Sequence, residues 1–335
     1  MKKQMGHIVT EFFCRYLSNE AGLSENTLKS YRDTFVLYIK YLEESGTCKP
    51  RNFDISTFRA DKVIRFLDWL ENVRGCGVST RNQRLAALKA FCNYVIRRFP
   101  ENSKDCQDIL QLRVKRAPTA TVEYLPTKAI ATILKQPDSS MQDGIRDLAI
   151  LSFLYETGCR VQELIDSHLG DISFRKPNTV TLTGKGKKTR VIPISINASE
   201  ILLKYVERHK IIQPEQSLFT NRSGQPLSRS GVAYILKKHL QSARQIDPLI
   251  LIKSIHPHVF RHSKAMHLLE SGVNLIYIRD FLGHSSVTTT EVYAKCNPEL
   301  KRKYIIEAAT QLDDSIQPYS SREKDELLKW LKNNI

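Results

Sequence analysis

The stretch TVTLTGKGKKTRVIPIS, residues 179–195, decides the fold class. Apolar and polar residues alternate on both sides of a Gly184-Lys185-Gly186 turn, which is the pattern of a β-hairpin. Its surroundings have a different period. Upstream, Arg146–Glu156 reads as a helix that stops at Gly158, and a second helix starts around Arg160. Downstream, helical patterns resume at Ala198 and run towards the end. The expected fold is therefore mainly α with a small β-sheet.

The first hundred residues are read as helices only. Leu28, Tyr31, Phe35, Ile39 and Leu42 recur at helical spacing, as do Val63, Phe66, Leu67, Leu70 and Val73. A third stripe holds Leu85, Leu88, Phe91, Cys92 and Val95, with Ser79 or Thr80 as its cap. With a shorter helix near Ile8–Leu17, these form a four-helix unit over residues 1–102, closed by Pro100. Residues 103–123 read as a linker, because RVKRAPTATVEYLPT (113–127) mixes basic residues, Pro and Thr without a period. A second unit of α+β character then spans 124–313, and 314–335 is a tail.

Composition narrows the function. Lys and Arg outnumber Asp and Glu by 51 to 35, a formal net charge of +16, which favours a polyanionic partner such as nucleic acid. Arg81 and Arg84, off the apolar stripe of their helix, and Lys237 and Lys238 are candidate DNA contacts. The seven cysteines are odd in number and contain no C-x-x-C pair. That argues against a disulfide framework or a zinc ribbon and fits a reducing cytoplasm. The start, MKKQMGHIVTEFF, has no long apolar core of a signal peptide, and no run approaches a membrane span.

HPHVFRH, residues 256–262, gathers three histidines and an arginine. Pro257 suits the first helical position, so His258 and Arg261 share one face of a helix ending at Gly272. Arg261 offers a planar fork of donors for phosphate oxygens, and His258 can donate or move a proton near neutral pH. His262 stands four residues from His258, a zinc-like spacing, but H-E-x-x-H is missing and an arginine lies between them. A buried, hydrogen-bonded structural histidine is the expectation there, with no metal. Further on, in FLGHSSVTTTEVYAK (281–295), Gly283 fits a helix C-terminus and places His284 in a tight connection. Thr288 and Glu291 form a capping box for a helix that carries Tyr293.

These segments together resemble the tyrosine recombinase, or phage integrase, family. The late motif H-x-x-R, then L-G-H, then Tyr is matched by His258 and Arg261, by Leu282-Gly283-His284, and by Tyr293. The early motif G-x-R-x-x-E-L is matched by GCRVQEL (158–164), which supplies Arg160 and Glu163, and the hairpin lysine by Lys185. The whole chain is most like mobile-element and Xer-type integrases. The resemblance implies a SAM-like core-binding domain followed by a tyrosine-recombinase catalytic domain, closing as a clamp on double-stranded DNA at specific recombination sites. It also implies a homotetramer on two sites, a tail that docks on a neighbouring subunit, and room for accessory proteins.

The residue types suit that chemistry. A phenol has a pKa of about 10 and must lose its proton as it attacks phosphorus. Charge then builds on the nonbridging oxygens, where donors fixed in advance lower the barrier. Arg160, Arg261 and His284 would hold those oxygens. His258 would act as base or as a further phosphate donor, Lys185 would protonate the leaving 5′ oxygen, and Glu163 would orient Arg160. The product is a 3′-phosphotyrosyl link made without metal, ATP or other cofactor. TGKGKKT has the wrong spacing for a nucleotide-binding loop. Two other readings share some of these features: a type IB topoisomerase-like enzyme and a non-catalytic DNA-binding protein.

Overall fold

The computed structural model describes residues 5–46, 58–100, 103–117, 122–252, 254–284, 286 and 290–293, with isolated positions at 302, 306, 324–326, 328 and 329. The expected Thr288 cap lies outside these residues, as does most of the expected docking tail, 314–335. The chain divides into two compact units, Met1–Ala120 and Thr121–Ile335.

The first unit is helical. α1 (Met5–Glu11) continues into a π-helical stretch, Phe12–Glu20, followed by α2 (Glu25–Glu44), α3 (Ala60–Asn72), α4 (Val78–Arg98) and α5 (Ser103–Gln111). Ser24 caps α2 by accepting the Thr27 N–H. The core is aromatic. Phe91 of α4 meets Phe12, Phe35 and Phe58 edge to face, with centroids 5.1, 5.1 and 5.3 Å away. Each buried ring contributes roughly 1.5–3 kcal/mol from transfer out of water, and the edge-to-face geometry adds about 1 kcal/mol per pair.

Three expectations change here. α4 begins at Val78 with Gly77 as its cap residue, so Ser79 and Thr80 lie within its first turn. Residues 103–111 are not linker. They form α5, which buries Cys106 and Ile109 in the first unit's core. Two apolar residues three apart suffice to seat a two-turn helix, and that signal is too short to stand out in sequence. Lys89 of α4 donates to the Leu110 and Leu112 carbonyls at 2.7 and 2.6 Å, tying down the end of α5. The third change concerns the basic face. Arg81 is 7% exposed, and its guanidinium sits against Glu71 and Asn82. Arg84 donates to the Ser30 carbonyl and the Thr34 hydroxyl. Both arginines are committed inside the unit, where helix-to-helix bonds compete with any outward use.

The second unit contains α6 (Thr127–Leu134), α7 (Gln142–Thr157), α8 (Val161–Ile165), a short 3-10 turn, and strands β1 (Ile172–Ser173), β2 (Thr179–Thr183) and β3 (Thr189–Pro193). α9 (Ile196–Arg208), α10 (Arg229–Ile246), α11 (Pro257–Glu270) and α12 (Leu275–Leu282) follow. α7 is central: Ala149, Ile150, Leu151 and Leu154 are fully buried. Its Asp147, 1% exposed, accepts from Arg146, Lys238 and His239 at 2.9, 3.2 and 2.9 Å. Burial pulls this carboxyl upward, but the bonds from His239, Arg146 and Lys238 outweigh it and hold it below the ordinary range. Lys237 and Lys238 are both exposed, but the Lys238 ammonium is engaged with the buried Asp147 carboxylate.

The hairpin is present as read. β2 and β3 pair antiparallel with Leu182 opposite Arg190 and Val180 opposite Ile192, and the two-residue β1 adds a third strand beside β2. Side chains alternate between faces along a strand, so Val180, Leu182 and Ile192 turn inward. Arg190 lies two residues before Ile192 and shares that inward face. Among the described residues no helix is long and apolar enough to cross a membrane.

Candidate functional site

Two helix ends build the site. α7 ends at Gly158 and α12 at Gly283, both left-handed, with φ of 54° and 64°. Glycine adopts this conformation without the steric cost of a Cβ. Contact adds a second requirement. A Cβ on Gly158 would lie 3.0 Å from the Phe281 ring, and one on Gly283 would lie 3.0 Å from the Arg190 guanidinium. The end of α12 thus packs directly on the α7–α8 corner.

Arg160 sits at that corner as the residue capping α8. Its backbone N–H donates to Glu163 Oε2 at 2.8 Å, and its Nη1 donates to Glu163 Oε1 at 2.8 Å. The R-x-x-E spacing therefore caps the helix from one side, with the carboxylate one turn into the helix holding both the main chain and the side chain of Arg160. Glu163 is 5% exposed. Burial pulls its carboxyl upward, but hydrogen bonds from Arg190 and Arg160 outweigh this and keep it below the usual range.

Arg190 is the residue that sequence reasoning missed. From β3 it donates to both Glu163 oxygens, at 3.0 and 2.6 Å, and through Nε to the Phe281 carbonyl at 3.0 Å. Its parity with Ile192 was the available signal: an arginine on the buried face of a hairpin needs a buried anion. Arg261 of α11 is 2% exposed and donates to the Gly158 carbonyl and the Leu282 carbonyl, both at 2.6 Å. Arg160 completes the set, giving Nη2 to the Gly283 carbonyl at 3.2 Å. Three successive carbonyls at the C-terminus of α12 each accept from a different arginine. The negative end of the helix dipole favours cations there.

The hairpin turn runs over the same place. A Cβ on Gly184 would approach Glu163 Oε1 to 3.0 Å and Arg160 Nη1 to 3.7 Å. The backbone of Lys185 follows immediately in the turn; its side chain is not among those described. His284, next to Gly283, has its Nδ1 3.0 Å from the hydroxyl of the buried Thr290.

The charges act on one another. Burial, then the charge of Arg160, brings Arg261 down to about 10, with Glu163 pulling the other way. Burial, then Arg261 and Arg160, lowers His284 to about 4. His258, exposed on the first turn of α11, is lowered by partial burial and then by Arg261, His256 and Arg160. Apart from Glu163, these groups raise the potential at one another, so this surface favours negative charge. Among the described residues no group of three or more His, Cys, Asp or Glu side chains could hold a metal ion.

Tyr293 is 2% exposed, and its ring packs with Ala265, Met266, Ile278 and Leu282. Its hydroxyl lies 2.9 Å from Nδ1 of His262. His262 is half-buried and hydrogen-bonded, and its partner is the phenol itself. His258 stands one turn earlier, with ring centroids 6.2 Å apart. The structure therefore gathers Arg160, Glu163, Arg261, His284 and the Lys185 backbone around the end of α12. It sets Tyr293 against α11 by way of His262. Arg81, Arg84 and Lys238 are held in contacts of their own.

Comparison with known proteins gives the family and the fold. Residues 123–299 match the model of the phage integrase family, and residues 10–98 match the phage integrase N-terminal SAM-like domain. A Sinorhizobium fredii protein named for integrase/recombinase activity, y4rC, is 31% identical over 97% of both chains. Tyrosine recombinase XerD of Listeria innocua is 31% identical over 84% of this chain and 91% of that protein. Among solved structures, the Tn1549 transposon integrase in complex with transposon right end DNA superposes with a TM-score of 0.68, covering 90% of this chain and 99% of that one, at 18% identity. The chain belongs to the phage integrase family and is a tyrosine-type site-specific recombinase, with a SAM-like helical domain ahead of its catalytic domain.

Proposed function

We propose that this recombinase cleaves and rejoins double-stranded DNA at specific sites through a 3′-phosphotyrosyl intermediate on Tyr293, using neither metal nor ATP. One observation carries the reading. Arg160 and Arg261 are steered to adjacent carbonyls of one helix end, beside His284 and the Lys185 turn, and among the described residues Glu163 bonds Arg160 while no carboxylate bonds Arg261. A scissile phosphate supplies the missing negative charge.

Each guanidinium has N–H donors beyond those engaged with protein carbonyls and Glu163, and these face the nonbridging oxygens as charge builds on them. His284 and His258 add further donors. Lys185 protonates the departing 5′ oxygen, and Glu163 keeps Arg160 in place. One phosphate ester replaces another, so the 5′ hydroxyl of a second DNA reverses the step without an energy source. Tyr293 is screened from solvent, so the helical residues 290–293 must shift for its hydroxyl to meet a phosphate.

In this reading the enzyme acts as a homotetramer on two sites in the cytoplasm, in the service of a mobile element. That last part rests on the whole-chain resemblance to such integrases. The helical unit and the excess positive charge support DNA binding. The test is a duplex carrying the host element's ends, nicked so that the cleaved fragment diffuses away. The intact enzyme accumulates as a protein–DNA adduct, and Tyr293→Phe binds the DNA but gives none. An intact enzyme that binds the sites yet forms no adduct would defeat the proposal.

A further inference from the structure

We infer that Arg190 is a positioning residue for Lys185: it pins the hairpin to α8 and to the end of α12, and so fixes where the lysine turn sits. The inference rests on the strand-transfer reading above and adds a residue to the machinery that delivers the leaving-group proton. The hairpin comes first. β3 is the edge strand of the sheet, and among the described residues its side-chain hydrogen bonds to other elements all come from Arg190. Arg190 faces Leu182 across the ladder and Thr189 faces Thr183, so one further rung separates Arg190 from the turn.

The turn shapes itself but does not place itself. Gly184 donates its N–H to the Lys188 carbonyl at 2.8 Å, and Lys187 donates to the Gly184 carbonyl at 3.2 Å. These bonds close the loop that carries Lys185. They leave open how the loop lies against the rest of the unit, because a hairpin tip is free to rock on its two strands. Two contacts fix its position. Gly184 rests on the Glu163 carboxylate, where a Cβ would lie 3.0 Å from Oε1 and 3.6 Å from Arg190 Nη1. Arg190 grips both oxygens of that same carboxylate from β3. The two ends of the hairpin tip are thus docked on one anion.

Arg190 acts through its neighbours. Each of its three nitrogens already bonds inside the protein, Nη1 and Nη2 to Glu163 and Nε to the Phe281 carbonyl. A bidentate arginine–carboxylate pair fixes direction as well as distance. Arg160 has bonds to Glu163 and to the Gly283 carbonyl that do not involve Arg190. Loss of Arg190 therefore falls mainly on the turn. A general acid must lie within hydrogen-bond reach of the oxygen it protonates, and a displacement of about 1 Å costs up to about 100-fold.

The test runs the intact protein, Arg190→Met, Gly184→Val and Lys185→Ala on the nicked duplex, and on the same duplex with sulfur at the bridging 5′ position. A sulfur leaving group departs without a proton, so it restores a variant whose fault is proton delivery. Gly184→Val keeps Arg190 and lifts the turn by crowding the Glu163 carboxylate. On oxygen, Arg190→Met is expected to form adduct about 100-fold more slowly than the intact protein, with DNA affinity unchanged. On sulfur, all three variants should come within about fivefold of the intact protein. Adding Arg190→Met to Lys185→Ala should slow the oxygen reaction no further, because the two losses share one route. Partial unfolding or a misplaced Arg160 slows both duplexes alike. The inference is therefore overturned if Arg190→Met or Gly184→Val stays slow on sulfur while Lys185→Ala recovers. Arg190→Met at the intact rate on oxygen, or a double variant slowed by the product of the singles, also overturns it. If sulfur does not restore Lys185→Ala, the lysine is not the acid and the inference falls with that role. If the intact protein forms no adduct on either duplex, the strand-transfer reading fails instead.

Discussion

Replacing Arg190 by methionine removes a charge that the sequence motif does not contain and the structure uses three times. Its side chain is 12% exposed and that of Glu163 4%. Two bonds to the carboxylate, at 3.0 and 2.6 Å, and one to the Phe281 carbonyl are lost. Breaking a buried ion pair by removing one partner costs about 3–5 kcal/mol, because the other charge is stranded. Here Arg160 still neutralises Glu163 in part, so the lower end, about 3 kcal/mol, is expected. For a unit of this size that corresponds to a fall in Tm of roughly 6–12 °C. Thermal and urea unfolding of the full chain, followed by a probe in the catalytic unit, measure it. A cycle with Glu163→Gln isolates the pair. The double variant should be more stable than the sum of the singles implies by at least about 1 kcal/mol. Adduct formation should also drop, since Arg160 shares the carboxylate. An Arg190→Met protein that melts within 2 °C of the original, with no coupling to Glu163, would refute the reasoning.

Two more outcomes follow from the same geometry. Gly283→Ala forces a Cβ into a left-handed position 3.0 Å from Arg190, so a loss of about 1–2 kcal/mol is expected by urea unfolding, together with slower adduct formation. In acid, His262 and His284 titrate near 4 when folded and near 6.5 when unfolded. Between those values the unfolded chain binds more protons, so stability of the catalytic unit declines as pH falls from 6.5 towards 4 and is unaffected by these groups above 6.5. A pH series of urea midpoints checks this, and a rise in stability on acidification through that window contradicts it.

The legible parts of the molecule were those whose cause is local. The hairpin announced itself through alternation about Gly184-Lys185-Gly186, and β2 and β3 lie there. Pro257 opened α11, and Gly158 and Gly283 closed their helices. Arg160 and Glu163 could be paired on paper because they are one turn apart. What escaped was long in range. Arg190 reaches Glu163 across 27 positions and Phe281 across 91. No spacing rule connects such residues; only the parity of Arg190 with Ile192 hinted at them. His262 was expected to be buried and hydrogen-bonded, but its partner sits 31 residues later and lies beyond any periodicity. The helix at 103–111 was hidden by its brevity, and the inward turn of Arg81 by Glu71, a residue of the preceding helix.

The last three carbonyls around the end of α12 have one more consequence. Their donors arrive from the hairpin, from α11 and from the α7–α8 corner, up to 123 positions away from these carbonyls in sequence. They act as a keystone: until every one of these pieces has docked, none of the three guanidiniums has its full set of partners. A nascent or half-unfolded chain therefore has all the chemical groups and none of the arrangement. For a site-specific recombinase, that all-or-nothing assembly ties activity to the finished fold.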